Sequence, residues 1–149
     1  LNAVLATRNE EGMFVTVALA VVDTRRGRLV VASAGHPLPI VRDGAGHVMP
    51  IGCTGDQPLG LDPDADYREY AYEFEAGDSV VLYTDGVTEA ANTAHQLYGD
   101  DRLAAVIART AGHAADVVAA LSQDVQSFAG SQPQSDDVTV VCFERVARR

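Results

Sequence analysis

Apolar positions in this chain fall into short runs separated by turn-forming residues. Met13–Val22 is almost continuously apolar and rich in Val, which predicts a buried strand. Arg28–Ala34 predicts a second strand across the Asp23–Gly27 turn. Asp43-Gly44-Ala45-Gly46 stands between Leu38–Arg42 and His47–Ile51, the spacing of a hairpin. In Tyr67–Glu75 the pattern alternates, with Tyr70, Tyr72 and Phe74 on one register and Glu69, Glu73 and Glu75 on the other, as in a half-buried strand. Ser79–Thr84 is a short buried strand that ends at Asp85-Gly86.

Beyond Tyr98 the period changes. Leu103, Val106 and Ile107 share a face of a helix over Arg102–Ala111, capped by Asp100 or Asp101. Val117, Val118, Leu121, Val125 and Phe128 predict a second helix over Ala114–Phe128, and Asp137–Glu144 predicts a closing strand. Leu1–Arg8 reads as the tail of a helix already under way. Several strands, two helices and one last strand predict an α+β fold with antiparallel pairing and a single domain across residues 1–149. Strand periodicity names Val15, Val17, Leu19, Val21, Val30, Val80, Leu82, Val138, Val140 and Cys142 as the expected core.

Composition narrows the function. With 47% hydrophobic and 21% charged residues the chain can bury a core, so disorder is excluded. The net charge of −10 argues against nucleic acid: the basic clusters are only Arg25/Arg26/Arg28 and the Arg145/Arg148/Arg149 tail, neither interleaved with aromatics. No run is long enough to span a membrane, no signal-peptide pattern opens the chain, and Cys53 and Cys142 form no disulfide framework, so a cytoplasmic location is expected.

Two acidic constellations carry candidate chemistry. Tyr83-Thr84-Asp85-Gly86 puts a carboxylate where a buried strand gives way to glycine, and Ser135-Asp136-Asp137-Val138-Thr139 puts two more at the start of the closing strand. Antiparallel pairing of those strands would turn Asp85 and Asp136 toward a common point. Oxygen-only ligands suit Mg²⁺ or Mn²⁺ better than zinc. The same residues also read as a turn cap and solvated loop charges. His36, in Ala34-Gly35-His36-Pro37, reads as a turn residue before a general acid. Asp62, Asp64, Asp66 and Glu73 imitate calcium-loop spacing, but Tyr67 stands where that loop needs Gly.

Phe14-x-Thr16, Ala34-Gly35-His36-Pro37, Pro58-Leu59-Gly60, Gly77-Asp78, Tyr83-Thr84-Asp85-Gly86-Val87 with Glu89, Tyr98-Gly99 and Asp136-Asp137-x-Thr139 follow one another in a specific order. In that order the chain resembles the SpoIIE/RsbU-type serine/threonine phosphatases, a bacterial branch of the metal-dependent PPM (type 2C) protein phosphatases. The resemblance implies an antiparallel β-sandwich flanked by helices and a centre of two Mn²⁺ or Mg²⁺ ions that hydrolyses phosphoserine or phosphothreonine. It makes Asp85 and Asp136 metal ligands, with Asp137 in the neighbouring place. The family's upstream Asp-Gly motifs are expected to precede Leu1, so the chain is expected to be the C-terminal portion of the domain and to have little activity alone. The implied partner is a phosphorylated regulatory protein, an anti-anti-sigma factor of the STAS type, and a homodimer is the expected assembly. The alternative is a non-catalytic regulatory or binding module on the same fold.

Overall fold

The computed structural model describes residues 1–52 and 54–147; Cys53, Arg148 and Arg149 lie outside them. The chain divides into two compact units, Leu1–Leu38 with Pro50–Phe74, and Pro39–Met49 with Glu75–Arg149.

The first unit holds helix α1 (Asn2–Thr7) and strands β1 (Val17–Asp23) and β2 (Arg28–Ala34), with a further strand at Tyr70–Glu73. The three strands form an antiparallel sheet in which β2 is central, with Val17 opposite Ala34 and Arg28 opposite Glu73. Asp23 closes the β1–β2 turn, its Oδ1 accepting the N–H groups of Arg25 at 3.0 Å and Arg26 at 2.9 Å. The expected strand at Met13–Val22 therefore begins only at Val17; ahead of it, Val15 makes a bridge to Leu59.

The core expected in this unit is corrected. Leu19 is 58% exposed, Val21 57% and Val15 47%, whereas Leu29 and Val31 are fully buried. Register supplies the reason. Residues paired across an antiparallel ladder share a face, so Leu29, Val31 and Ser33 share theirs with Val22, Ala20 and Ala18. On that face Ala18 and Ala20 of β1 lie beside Ser33 and Val31 of β2, and Val17, Leu19 and Val21 lie on the opposite face with Val30. Both faces of β1 are apolar, and a period of two cannot choose between them.

The second unit is built on β3 (Ile40–Arg42), β4 (Val48–Pro50), the strand Ser79–Tyr83 and the strand Val140–Glu144, numbered β6 and β7 after β5 (Tyr70–Glu73) of the first sheet. The order is β4-β3-β6-β7, and β6 is antiparallel to both neighbours. Helices α2 (Asp85–Thr88), α3 (Gly99–Arg109) and α4 (Ala114–Ala129) follow β6. Leu103, Val106 and Ile107 of α3 and Val117, Leu121 and Val125 of α4 form one buried cluster with Val81, Tyr83 and Val87. Val80 is fully buried as expected, while Val138, Val140 and Cys142 are half-buried against that cluster and Leu82 is half-buried.

Several boundaries differ from expectation, while the start of α4 at Ala114 is as expected. Helix α3 starts at Gly99 with Tyr98 at its N-cap, so Asp100 and Asp101 sit in the first turn, where they complement the helix dipole instead of capping it. Helix α4 is closed at its start by Asp116, whose Oδ2 accepts the His113 N–H at 2.8 Å. Asp85 opens a one-turn helix where a loop was expected, and β7 begins at Val140, three residues after Asp137. The α+β class with antiparallel sheets stands.

Candidate metal site at the β6–β7 end

Tyr83 and Val140 are the last pair of the β6–β7 ladder. Thr84 extends the stitch beyond it. Its N–H donates to the Thr139 carbonyl at 3.1 Å, and its hydroxyl donates to the Asp137 carbonyl at 2.7 Å while accepting the Thr139 N–H at 2.9 Å. A β-branched residue with a hydroxyl thus clamps the segment before β7 against the end of β6. Gly86 completes the approach: a Cβ there would stand 2.5 Å from the Asp137 carbonyl oxygen and 3.3 Å from the Asp136 carbonyl carbon. Only glycine lets the Asp85-Gly86 backbone lie against the Asp136–Asp137 peptide. The strand pairing expected from the sequence therefore brings the two acidic segments together.

Asp85, Asp136 and Asp137 are all exposed. Asp85 Oδ1 accepts the Gly86 N–H at 3.1 Å, and Asp136 Oδ1 accepts the Asp137 N–H at 2.7 Å, so the backbone holds one oxygen of each carboxylate. The other oxygen takes no hydrogen bond from the described residues. In chemistry this donor set fits Mg²⁺ or Mn²⁺, which take hard oxygen ligands. In number it falls short, because no group of three or more His, Cys, Asp or Glu side chains is placed to hold a metal among the described residues. Behind the site, burial pushes the Tyr83 hydroxyl up to about 12, with the nearby Asp100 carboxylate adding to the shift. Tyr83 thus stays neutral and donates toward Asp100 at 3.5 Å.

Comparison with known proteins decides the lineage. The family model for Stage II sporulation protein E (SpoIIE) matches residues 1–146. The chain belongs to the SpoIIE family. Among curated relatives, Protein IcfG of Synechocystis is 26% identical over 97% of the chain, and Phosphoserine phosphatase RsbU of Bacillus subtilis is 30% identical over 60% of it. The chain spans about a quarter of those proteins, 24% and 27% of their lengths. The phosphatase domain of the cell-fate determinant SpoIIE from Bacillus subtilis (Mn presoaked) aligns with a TM-score of 0.76 at 19% identity, covering 99% of this chain and 63% of that one. At that identity the likeness speaks to the fold, and it bears out the expected phosphatase-type architecture.

Several other motifs of this SpoIIE-family chain make contacts that hold the fold. Gly35 has φ +67°, and a Cβ on it would run into the Pro58 ring, so the Ala34–Pro37 and Pro58–Gly60 segments depend on each other. His36 is half-buried, and its main-chain carbonyl accepts the Ser33 hydroxyl at 2.5 Å. Asp78 is buried and accepts the N–H groups of Gly44 at 2.9 Å and Glu75 at 2.8 Å, fastening the β3–β4 hairpin. Buried Tyr98 donates to Asp124 at 2.9 Å, and its ring meets Phe128 edge-on at 5.4 Å. Arg109 bonds the other oxygen of the same Asp124, joining α3 to α4. From the sequence Gly86 is expected to let the loop turn away from the strand; its close approach to Asp137, and the Thr84 clamp, are visible only in the fold. No helix among the described residues is long and apolar enough to cross a membrane.

Proposed function

We propose that this chain is the C-terminal portion of a single SpoIIE-type domain that hydrolyses phosphoserine or phosphothreonine on a regulatory protein with Mn²⁺ or Mg²⁺. The observation that carries the reading is the seat of Gly86 on the Asp136–Asp137 peptide, which puts two carboxylate-bearing segments side by side. Asp85 and Asp136 would hold the ion, with Asp137 beside them. Divalent ions, when bound, supply an activated water and offset charge on the transferring phosphoryl group. The chain's own part is to fix the two carboxylates through Thr84, the β6–β7 ladder and the Gly86 contact. A phosphorylated STAS-type anti-anti-sigma protein is the substrate we favour; the name of the relative RsbU as a phosphoserine phosphatase supports a phosphoserine target. The lack of a third ligating side chain among the described residues favours one second reading, a regulatory module that binds the phosphoprotein without cleaving it.

Phosphate release from a phosphoserine-bearing STAS protein by the full-length protein separates the two. The phosphatase reading expects release with Mn²⁺ and none after chelation with EDTA. Tight binding with no release at any Mn²⁺ concentration would transfer the assignment to the binding module.

A further inference from the structure

Two depressions in the second unit run into each other. A shallow one of about 420 Å³ lies over Gln134–Asp137, at the candidate metal site. A deeper one of about 480 Å³ lies between α4 and the 130–135 loop, with Val125 and Val138 on its floor, and extends to Gly86. Gln134 and Ser135 line both, so the two adjoin along that segment beside Asp136 and form a groove there. Its volume falls in the range of about 300–1,000 Å³ typical of ligand clefts.

The composition of the deeper part is distinctive. In a chain with a net charge of −10, no ionisable side chain lines it. Its walls carry instead the amides of Gln126 and Gln132 and the hydroxyl of Ser135. The loop wall is held in place: Gln134 Nε2 donates to the Asp136 carbonyl at 2.6 Å, and the Gln132 N–H donates to the Ala129 carbonyl at 3.1 Å. With no cationic side chain in its lining, the groove offers a phosphate no counter-charge. A charged side chain entering it would lose water without gaining a counter-charge. Amide and hydroxyl groups can instead pair with peptide N–H and C=O groups, and the two valines accept small apolar side chains.

We infer that this groove seats the uncharged residues flanking the phosphoserine of a protein substrate, and so helps choose which phosphoprotein is cleaved. This rests on the phosphatase reading above. A phosphoserine brought to the metal ions that Asp85 and Asp136 would hold must lead its neighbouring residues out of the site, and the deeper depression adjoins that place at Gln134 and Ser135.

The test uses the full-length protein with Mn²⁺, p-nitrophenyl phosphate, and phosphoserine peptides whose flanks are Ala/Val, Asp or Arg. Wild type is expected to favour the Ala/Val peptide by about tenfold in kcat/KM, the scale of selection by one apolar pocket. Ala129→Trp, which fills the groove, should lower turnover of that peptide by about the same factor while p-nitrophenyl phosphate hydrolysis stays within about twofold. Gln126→Arg, on the exposed side of α4, should shift preference toward Asp flanks. If Ala129→Trp does not fold, Gln126→Arg decides alone. Retained p-nitrophenyl phosphate hydrolysis with no flank preference, or with peptide turnover unchanged in both variants, overturns the groove and leaves the phosphatase reading intact. No release from any of these probes by wild type defeats the phosphatase reading, and the groove with it.

Discussion

The two sheets bury their apolar residues to very different degrees. In the second unit Val80 and Val81 of β6 are both fully buried, and α3 and α4 cover one face with Leu103, Ile107 and Leu121. In the first unit, edge strand β1 leaves Leu19 and Val21 more exposed than buried. The lesson concerns what positions the site. Asp85 and Asp136 hang from β6 and β7, one face of which packs on α3 and α4, so their backbone is set by packing that the unit makes within itself. Among the described residues β1 is an edge strand laddered only to β2, and an apolar edge strand is a surface prone to pairing or association.

Truncation should expose this contrast most strongly in the closed core. Leu121→Ala is expected to cost about 2–5 kcal/mol by urea denaturation, since the leucine is fully buried in the helix–sheet cluster. Asp78→Ala should come next, at about 1–3 kcal/mol, because it strands the Gly44 and Glu75 N–H groups that the carboxylate now satisfies.

Acid should act more gently, and in the first unit. The Arg68 N–H, then the Arg68 side chain, hold the Asp56 carboxyl below the usual carboxylate range. A depressed folded value stabilises the protein at pH above the unfolded value of about 3.9, and that contribution is lost as pH falls through the folded value. Asp56→Asn should therefore lose less stability than wild type between neutral pH and about pH 3; equal losses would show that the Arg68 pairing carries no pH dependence. The smallest effect belongs to Leu19→Ala, within about 0.5 kcal/mol. If it destabilised as much as Leu121→Ala, the contrast between the sheets would be wrong.

Much of this was legible from the residues. The antiparallel approach of Ser79–Thr84 and Asp137–Glu144, and with it the approach of the Asp85-Gly86 and Asp136-Asp137 segments, follows from two short apolar runs that each carry Asp at the proper end. Helices α3 and α4 follow from Leu103/Val106/Ile107 and Val117/Leu121/Val125. The inward face of β1 does not, because Val17, Leu19 and Val21 alternate with Ala18, Ala20 and Val22 and both sets are apolar. The choice is made across the ladder, by the size of Leu29 and Val31 on β2. Helix α2 is a single turn, too short for a period to register. The Gln126, Gln132 and Ser135 groove is invisible in sequence, because uncharged loop residues signal nothing until the fold places them beside a carboxylate.

In the proposed function β6 and β7 deliver Asp85 and Asp136 to one metal-dependent site. The most direct measurement is phosphate release against Mn²⁺ concentration by full-length Asp85→Asn and Asp136→Asn proteins, with circular dichroism to confirm folding. Asn keeps the shape of Asp without its charge, so the account predicts a native spectrum and loss of Mn²⁺-dependent release in both variants. Wild-type release by either variant across the whole Mn²⁺ range would contradict it.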